Sequence, residues 1–358
     1  MKILYVVSSL SSSGPTNQLY NLISNINKDC YKVTVITLSP EQNDSRLGDF
    51  ELLGIDIKSL NLSRLAGLFL SKFKLKSLIK KIKPDLIHTQ GIRADSLLAS
   101  LKLSIPWVMT SRNFPSEDYP SKFGKIKGGL MEKQHFVAMR KCSNVVSCSE
   151  SIRKQLTSVG IQSLAIQNGV KNIKGDASVV SRTECLQKPV FVTVGSLIPR
   201  KNVHYLLDAF EQANTRKKGT LLVVGDGPQR QELEFKYFDN VHFIGNVNNV
   251  QDYLAASDYF VSSSLSEGLP NTVLEALVAG LPVILSDIPS HAEIEKESKG
   301  SCILFSLDNK DQLIEILADP KDYFSDGANK DALRLGQDVF SAKSMSLKYQ
   351  DLYQELVI

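Results

Sequence analysis

Short apolar runs that stop at Gly, Ser or a turn alternate with helix-patterned stretches along the whole chain, and this alternation limits the fold more than any other feature. Lys2-Ile-Leu-Tyr-Val-Val, Pro84-Asp-Leu-Ile-His88, Val145-Val-Ser-Cys-Ser149, Phe191-Val-Thr-Val-Gly195, Leu221-Leu-Val-Val-Gly225 and Val241-His-Phe-Ile-Gly245 are such runs. Near-continuous apolar strands are covered on both faces, and strands separated by helices build parallel sheets from βαβ units. The expected class is therefore α/β. A chain of 358 residues exceeds one comfortable core, so two domains are expected. No short-period repeat, coiled coil or low-complexity tract interrupts the pattern. The stretch Asn168–Ser181, with Gly169, Gly175 and few apolar residues, reads as the linker.

The segment Ser262–Glu293, SSSLSEGLPNTVLEALVAGLPVILSDIPSHAE, carries the chemistry. Asp258–Ser264 reads as a buried strand, and Gly268, Pro270 and Asn271 as a turn with Asn271 in the helix N-cap position. The spacing of Val273, Leu274, Leu277 and Val278 predicts a helix over Thr272–Ala279, closed by Gly280 and Pro282. Glu267 then lies in the loop before the helix and Glu275 about one turn inside it. A helix N-terminus seats a diphosphate, and a carboxylate beside it needs another purpose, such as sugar or ribose hydroxyls. The plainer alternative makes Glu275 a dipole-favoured acid and Glu267 a solvated loop residue.

This segment closely resembles the E-x7-E signature of the family-4 retaining glycosyltransferases, down to the EG-x-P, LEA and A-x-G-x-PV elements and the trailing His291-Ala-Glu-Ile. Phe191–Val203, Leu221–Pro228 and Val241–Val247 resemble that family's basic loop, Gly-rich turn and nucleobase-side strand, in its order. Lys2–Leu10 with Gly14-Pro-Thr-Asn resembles its first strand and phosphate loop. Pro84–His88, Val145–Glu150 and Ile166–Val170 extend the likeness over nearly the whole chain. The resemblance implies a GT-B fold of two Rossmann-like domains with parallel sheets facing a central cleft. Residues 1–168 would form the acceptor domain and 169–340 the nucleotide-sugar donor domain, with a last helix, 341–358, packing back on the first.

Breaking a nucleotide-sugar bond requires charge stabilisation of the leaving diphosphate, support for an oxocarbenium-like sugar and removal of an acceptor proton. Arg200 and Lys201, adjacent after a strand, are the natural cations for the diphosphate, with a solvated basic turn as the alternative. Gly14 would let backbone approach the phosphates. The resemblance assigns ribose hydroxyls to Glu275 and donor-sugar hydroxyls to Glu267, and adds Gly195, Gly225, Val247, Gly268, Leu269, Asn271, Thr272 and Val273 to the donor site. No Asp-x-Asp pair occurs, which removes the usual carboxylate seat for a bridging metal. No cofactor and no metal are expected. The family outcome is retention, with the leaving phosphate oxygen taking the acceptor proton.

Two departures from the family pattern stand out. Arg112 occupies the place of a frequent His, and a permanent cation there suits phosphate, a sugar hydroxyl or an anionic acceptor, or else an ion pair with Glu117 or Asp118. Ser196 stands where many relatives carry Arg. The run Arg112-Asn-Phe-Pro-Ser-Glu117-Asp118-Tyr119 resembles a subset of bacterial surface-polysaccharide transferases. Arg112 joins Glu267, Arg200 and Lys201 as candidate catalytic residues, and Glu117, Asp118 and His135 are acceptor-side candidates. His88 reads as structural.

The chain carries 42 Lys and Arg against 38 Asp and Glu, but residues 1–168 hold 23 and 12 of these, so the first half is the basic one. No nucleic-acid-reading motif accompanies that charge. Arg64–Lys83 places Leu68, Leu75, Leu78, Ile79 and Ile82 on one helical face and Phe69 and Phe73 among Lys72, Lys76, Lys80 and Lys83 on the rest. That pattern suits an anionic membrane surface as well as a solvated face. Lys122–Met131 is a second basic, apolar segment, read as flexible and suited to a lipid-linked acceptor. No run of about 18–20 apolar residues is present. Five cysteines without a CxxC pair (Cys30, Cys142, Cys148, Cys185, Cys302) and a strand directly after Met1 suggest a cytoplasmic protein, peripheral at most on the inner membrane face.

The expected activity is therefore metal-independent transfer of a sugar, with UDP-sugar the commonest donor in the family, to a glycan or lipid-linked glycan of O-antigen, capsule or exopolysaccharide. A GT-B epimerase or phosphorylase, or a silent sugar-nucleotide-binding scaffold, are the alternatives.

Overall fold

A computed structural model describes residues 1–181, 186–237 and 239–357, without the side chains of Arg64, Leu65, Ala66, Leu68 and Ser181. Cys185, and the Leu68 side chain counted above in an apolar helix face, lie outside the described residues. The chain divides into two compact units, Met1–Gly169 with Ala342–Ile358, and Val170–Ser341.

Unit 1 is built on a seven-stranded sheet of β1 (Lys2–Val7), β2 (Lys32–Thr37), β3 (Asp56–Ser59), β4 (Leu86–Gln90), β5 (Trp107–Ser111), β6 (Asn144–Ser147) and β7 (Leu164–Ala165). Its order is β3-β2-β1-β4-β5-β6-β7, every pair parallel. Unit 2 holds β8 (Val190–Val194), β9 (Thr220–Val224), β10 (Val241–Gly245), β11 (Tyr259–Ser262), β12 (Val283–Ser286) and β13 (Cys302–Phe305). These run in the order β10-β9-β8-β11-β12-β13, again all parallel.

Each sheet is covered on both faces, which is why its strands read as continuous apolar runs. In unit 1 one face buries Tyr5, Leu22, Val35 and Phe50 and the other Leu4, Ile36, Leu75 and Ile79. Each sheet also reverses its winding once, between β1 and β4 and between β8 and β11, and ligands of open α/β sheets bind outside the strand carboxyl ends at such points. Register aligns those ends. Val7 lies beside Gln90, and Gln90 beside Thr110.

The helix Ala342–Val357 closes unit 1. Met345, Tyr349 and Tyr353 enter its core, and the Tyr353 hydroxyl lies 3.1 Å from that of Tyr5 and 2.6 Å from His88 Nδ1. His88 Nε2 meets Thr110 Oγ1 at 2.8 Å, and Thr110 meets Tyr349 at 2.9 Å. Burial, aided by the Arg112 charge, pushes His88 down to about 3, so it is neutral and structural, as expected.

Several expectations change in detail. The stretch read as a linker does contain the boundary between the units, after Gly169, but from Val170 it is packed as part of unit 2: Val170 is buried, its amide bonds the Phe340 carbonyl at 2.9 Å, and Gly175 packs on the Gln251 backbone. The helix after Glu267 spans Asn271–Val278, and its N-cap is Pro270, without a side-chain hydrogen bond, rather than Asn271. Lys122–Met131 is helical on both sides of Gly124, which at φ 78° joins the helices Pro115–Phe123 and Lys125–Met139. Cys142 and Cys302 are buried and Cys30 is exposed, all as free thiols.

Close approach of those two helices depends on one glycine. A Cβ at Gly128 would lie 2.5 Å from the Tyr119 carbonyl oxygen and 2.6 Å from Pro120 Cα, whereas one at Gly129 meets nothing within 4 Å. Gly128→Ala is expected to lower stability by about 1–3 kcal/mol through overpacking. Its neighbour should respond oppositely: Gly129→Ala gains about 0.5–1 kcal/mol of helix propensity. Paired thermal melts check the signs.

Candidate functional site

Unit 2 gathers most of the expected donor residues at its winding reversal. After β8 the chain turns at Gly195, where a Cβ would lie 3.2 Å from Lys201 Cε, and a short 3₁₀ turn, Pro199–Lys201, presents both cations. Gly225, after β9, abuts the Gly195 carbonyl so closely that a Cβ would sit 2.0 Å away. Ser196 is exposed beside them, and Val247 follows β10 in a half-buried loop. After β11, Glu267 drops between the cations, with Oε2 2.8 Å from Arg200 Nη1 and Oε1 2.7 Å from Lys201 Nζ. Ser264 Oγ donates to the same Oε1 at 2.9 Å, and Arg200 also donates to the Ser266 carbonyl. The plainer alternatives of a solvated loop acid and a solvated basic turn are thereby set aside.

The two carboxylates of the signature are driven apart electrostatically. Burial opposes ionisation of Glu267, but Lys201 and Arg200 outweigh it and hold the group at about 2. Glu275 has no ion-pair or hydrogen-bond partner for its side chain among the described residues, and burial alone raises it to about 7. At neutral pH one is a fixed carboxylate and the other is shared between two states. Gly268, Leu269 and Val273 are buried, so they offer backbone rather than side chains, and the Val273 amide is already bonded to the Pro270 carbonyl at 3.1 Å. Asn271 and Thr272 are half-buried at the helix start. His291 is fully buried with Nδ1 2.8 Å from the Ser286 carbonyl, and burial lowers it to about 4.

Unit 1 holds a cavity of about 380 Å³ at the carboxyl ends of β1, β4 and β5. Ser13, Pro15, Gln90, Gly91, Arg112, Asp118, Tyr119, Lys122 and His135 are among its lining residues, while Gly14 begins the helix Gly14–Ser24 beside it. Arg112 pairs with neither Glu117 nor Asp118. It donates to Asn168 Oδ1 at 2.6 Å and Gln90 Oε1 at 3.4 Å. Asp118 instead pairs with Lys122 at 2.7 Å, and Glu117, outside the cavity lining, accepts from Gln155 at 2.6 Å. His135 is buried with Nε2 2.9 Å from Asp95 and Nδ1 2.8 Å from the Tyr119 hydroxyl. Sequence reasoning missed Gln90, Asp95 and Tyr119. A polar residue closing a buried parallel strand, as Gln90 closes β4, is the signal that would have found the first.

The carboxylates carry opposite pH signatures. Glu275 sits above its unfolded value of 4.5, so its ionisation weakens folding as pH rises through about 7. Glu275→Gln should raise stability near pH 8 by up to ~3 kcal/mol and change nothing near pH 4. Glu267 sits below its unfolded value, so its contribution is present above 4.5 and disappears as pH falls through about 2. Glu267→Gln should lower stability at pH 7 by about 3 kcal/mol, with the gap closing in acid. Denaturant melts across pH test both.

Comparison with known proteins follows the same division. The family described as Glycosyltransferase Family 4 matches residues 12–171, and Glycosyl transferases group 1 matches residues 188–319. The O-antigen biosynthesis glycosyltransferase WclY of Escherichia coli is 25% identical across 99% of both chains. The UDP-Gal:alpha-D-GlcNAc-diphosphoundecaprenol alpha-1,3-galactosyltransferase of the same organism is 28% identical over 69% of each. In fold, the chain is similar to Anabaena HepE, solved in complex with UDP-glucose, with a TM-score of 0.79 and 19% identity over 99% of this chain and 100% of that one. A family-4 and a group-1 glycosyl transferase domain thus follow one another on two parallel-sheet Rossmann-like units, and the chain is a glycosyltransferase of GT-B fold.

Proposed function

We propose that this glycosyltransferase is retaining and metal-independent, and that it moves a sugar from a UDP-sugar onto a lipid-linked glycan during bacterial surface-polysaccharide assembly. The observation that carries the reading is Glu267 clasped between Arg200 and Lys201, together with a half-buried Glu275 whose side chain has no partner among the described residues. In the ligand-free chain Glu267 neutralises the cations that a diphosphate would engage. When the diphosphate arrives, the cations turn to it and Glu267 is released towards sugar hydroxyls. Glu275, short of donors, is matched by the two hydroxyls of a ribose. Two cations and the start of the Asn271–Val278 helix supply the charge compensation that a metal supplies elsewhere.

In the transfer itself, the bond from the anomeric carbon to the phosphate oxygen breaks and a bond to the acceptor oxygen forms on the same face. The acceptor proton passes to the departing phosphate oxygen. The nucleoside diphosphate leaves with it, and no enzymic nucleophile is required. A UDP donor and a surface-polysaccharide setting draw support from the two Escherichia coli relatives.

Peripheral membrane contact is part of the reading. On the helix Arg64–Ile82, Leu75 and Ile79 are buried, while Phe69 and Phe73 are 75% and 73% exposed among exposed lysines. No helix among the described residues is long and apolar enough to cross a membrane.

Thermal stabilisation by UDP, GDP and ADP, with and without EDTA, tests the donor site. UDP alone should stabilise the protein, EDTA should not alter the shift, and Glu275→Ala should abolish it; indifference to every nucleotide would favour the scaffold alternative. For the membrane, Phe69→Ser with Phe73→Ser should weaken sedimentation with phosphatidylglycerol vesicles at least ~10-fold. Salt should weaken the wild type, and equal binding by both proteins would dismiss the contact.

A further inference from the structure

The cavity of unit 1 contains a guanidinium without a counter-charge. Arg112 spends Nη1 and Nη2 on the neutral amides of Asn168 and Gln90, and its Nε is buried with no partner. Gln90, only 6% exposed, has given its oxygen to Arg112, and its Nε2 is likewise buried and unpartnered. Both residues line the cavity. Of the neighbouring carboxylates, Asp118 pairs with Lys122, Glu117 accepts from Gln155, and Asp95 pairs with His135 through Oδ2 while its Oδ1 is buried without a partner. The helix Ile92–Ala99 opens onto the same space at Gly91, where φ is 91° and no side chain caps the first turn.

Sheltered donors without acceptors are costly, and a guanidinium held only by neutral amides is costlier, unless something anionic completes the set. The volume falls within the ~300–1,000 Å³ of ordinary small-molecule sites. We propose that this cavity binds an anionic group of the acceptor, a phosphate or carboxylate borne by its sugar, with Arg112 and Gln90 as the oxygen-binding pair. Only the word acceptor rests on the glycosyltransferase reading. The anion site itself stands on unit 1 alone.

The test is thermal stabilisation of the full chain, first without nucleotide and then with saturating UDP. The probes are inorganic pyrophosphate, α-glucose 1-phosphate, D-glucuronate and, as the neutral control, methyl α-glucoside, each at about 10 mM. At least one anion should stabilise the wild type further in the presence of UDP, and the glucoside should not. Which anion acts separates phosphate from carboxylate. Arg112→Gln should weaken the anion about 10–100-fold and Gln90→Leu about 10-fold, with UDP affinity unchanged in both.

Absence of any anion effect on the wild type overturns the proposal, as does full retention in both variants. Equal loss of UDP and anion binding in Arg112→Gln would assign the cation to the donor diphosphate and overturn it too. Failure of the donor reading appears separately, as indifference of the wild type to every nucleotide while the anion series without nucleotide remains measurable.

Discussion

A parallel sheet cannot be closed by hairpins, and each strand must be followed by a crossover that covers one face of the sheet. The rest of the architecture follows from that constraint. Both faces become buried, so strands are apolar throughout, and polar chemistry is displaced to the carboxyl ends where the chain leaves the sheet. Where the winding reverses, two such ends diverge and leave a crevice. In unit 2 the reversal separates β8 from β11 and brings Arg200 and Lys201 from one loop to Glu267 from the other. In unit 1 it separates β1 from β4, and the cavity with Gln90 and Arg112 opens there.

Electrostatics divides the labour at these crevices. Glu267 and Glu275 have the same side chain, yet one lies against two cations and the other, half-buried, against none, and their proton affinities separate accordingly. Glu267 acts first as an internal counter-ion, keeping Arg200 and Lys201 organised at little Coulombic cost. Arg112 is the reverse case, a cation organised by amides alone. The contrast distinguishes a site whose charges are balanced before ligand arrives from one whose balance depends on the ligand.

The last helix has a different role. The chain leaves unit 1 after Gly169 and re-enters it at Ala342, where Tyr349 and Tyr353 bond Thr110 and His88 at the centre of the sheet. Residues at opposite ends of the chain thus share one buried hydrogen-bond network, and neutral His88 completes it. Since Thr110 lies two residues before Arg112, that network also steadies the strand that delivers the cation to the cavity.

Much of this was legible before any coordinates. The class, the parallel strands, the helix after Glu267, and the pairing of Arg200 with Lys201 follow from local periodicity, turn residues and adjacency, all properties of short segments. Partnerships were not legible. The alternative reading of Arg112, an ion pair with Glu117 or Asp118, drew on nearness in sequence, but Arg112 reaches Asn168 and Gln90, the latter brought beside its strand by register. Asn271 was expected to cap its helix because of its type, and Pro270 holds that position. The sequence alone determined which residues are strand, which are turn and which carry charge. Only the tertiary structure decided which charges meet, because burial and counter-ions are set by the register and crossovers that bring distant strand ends together.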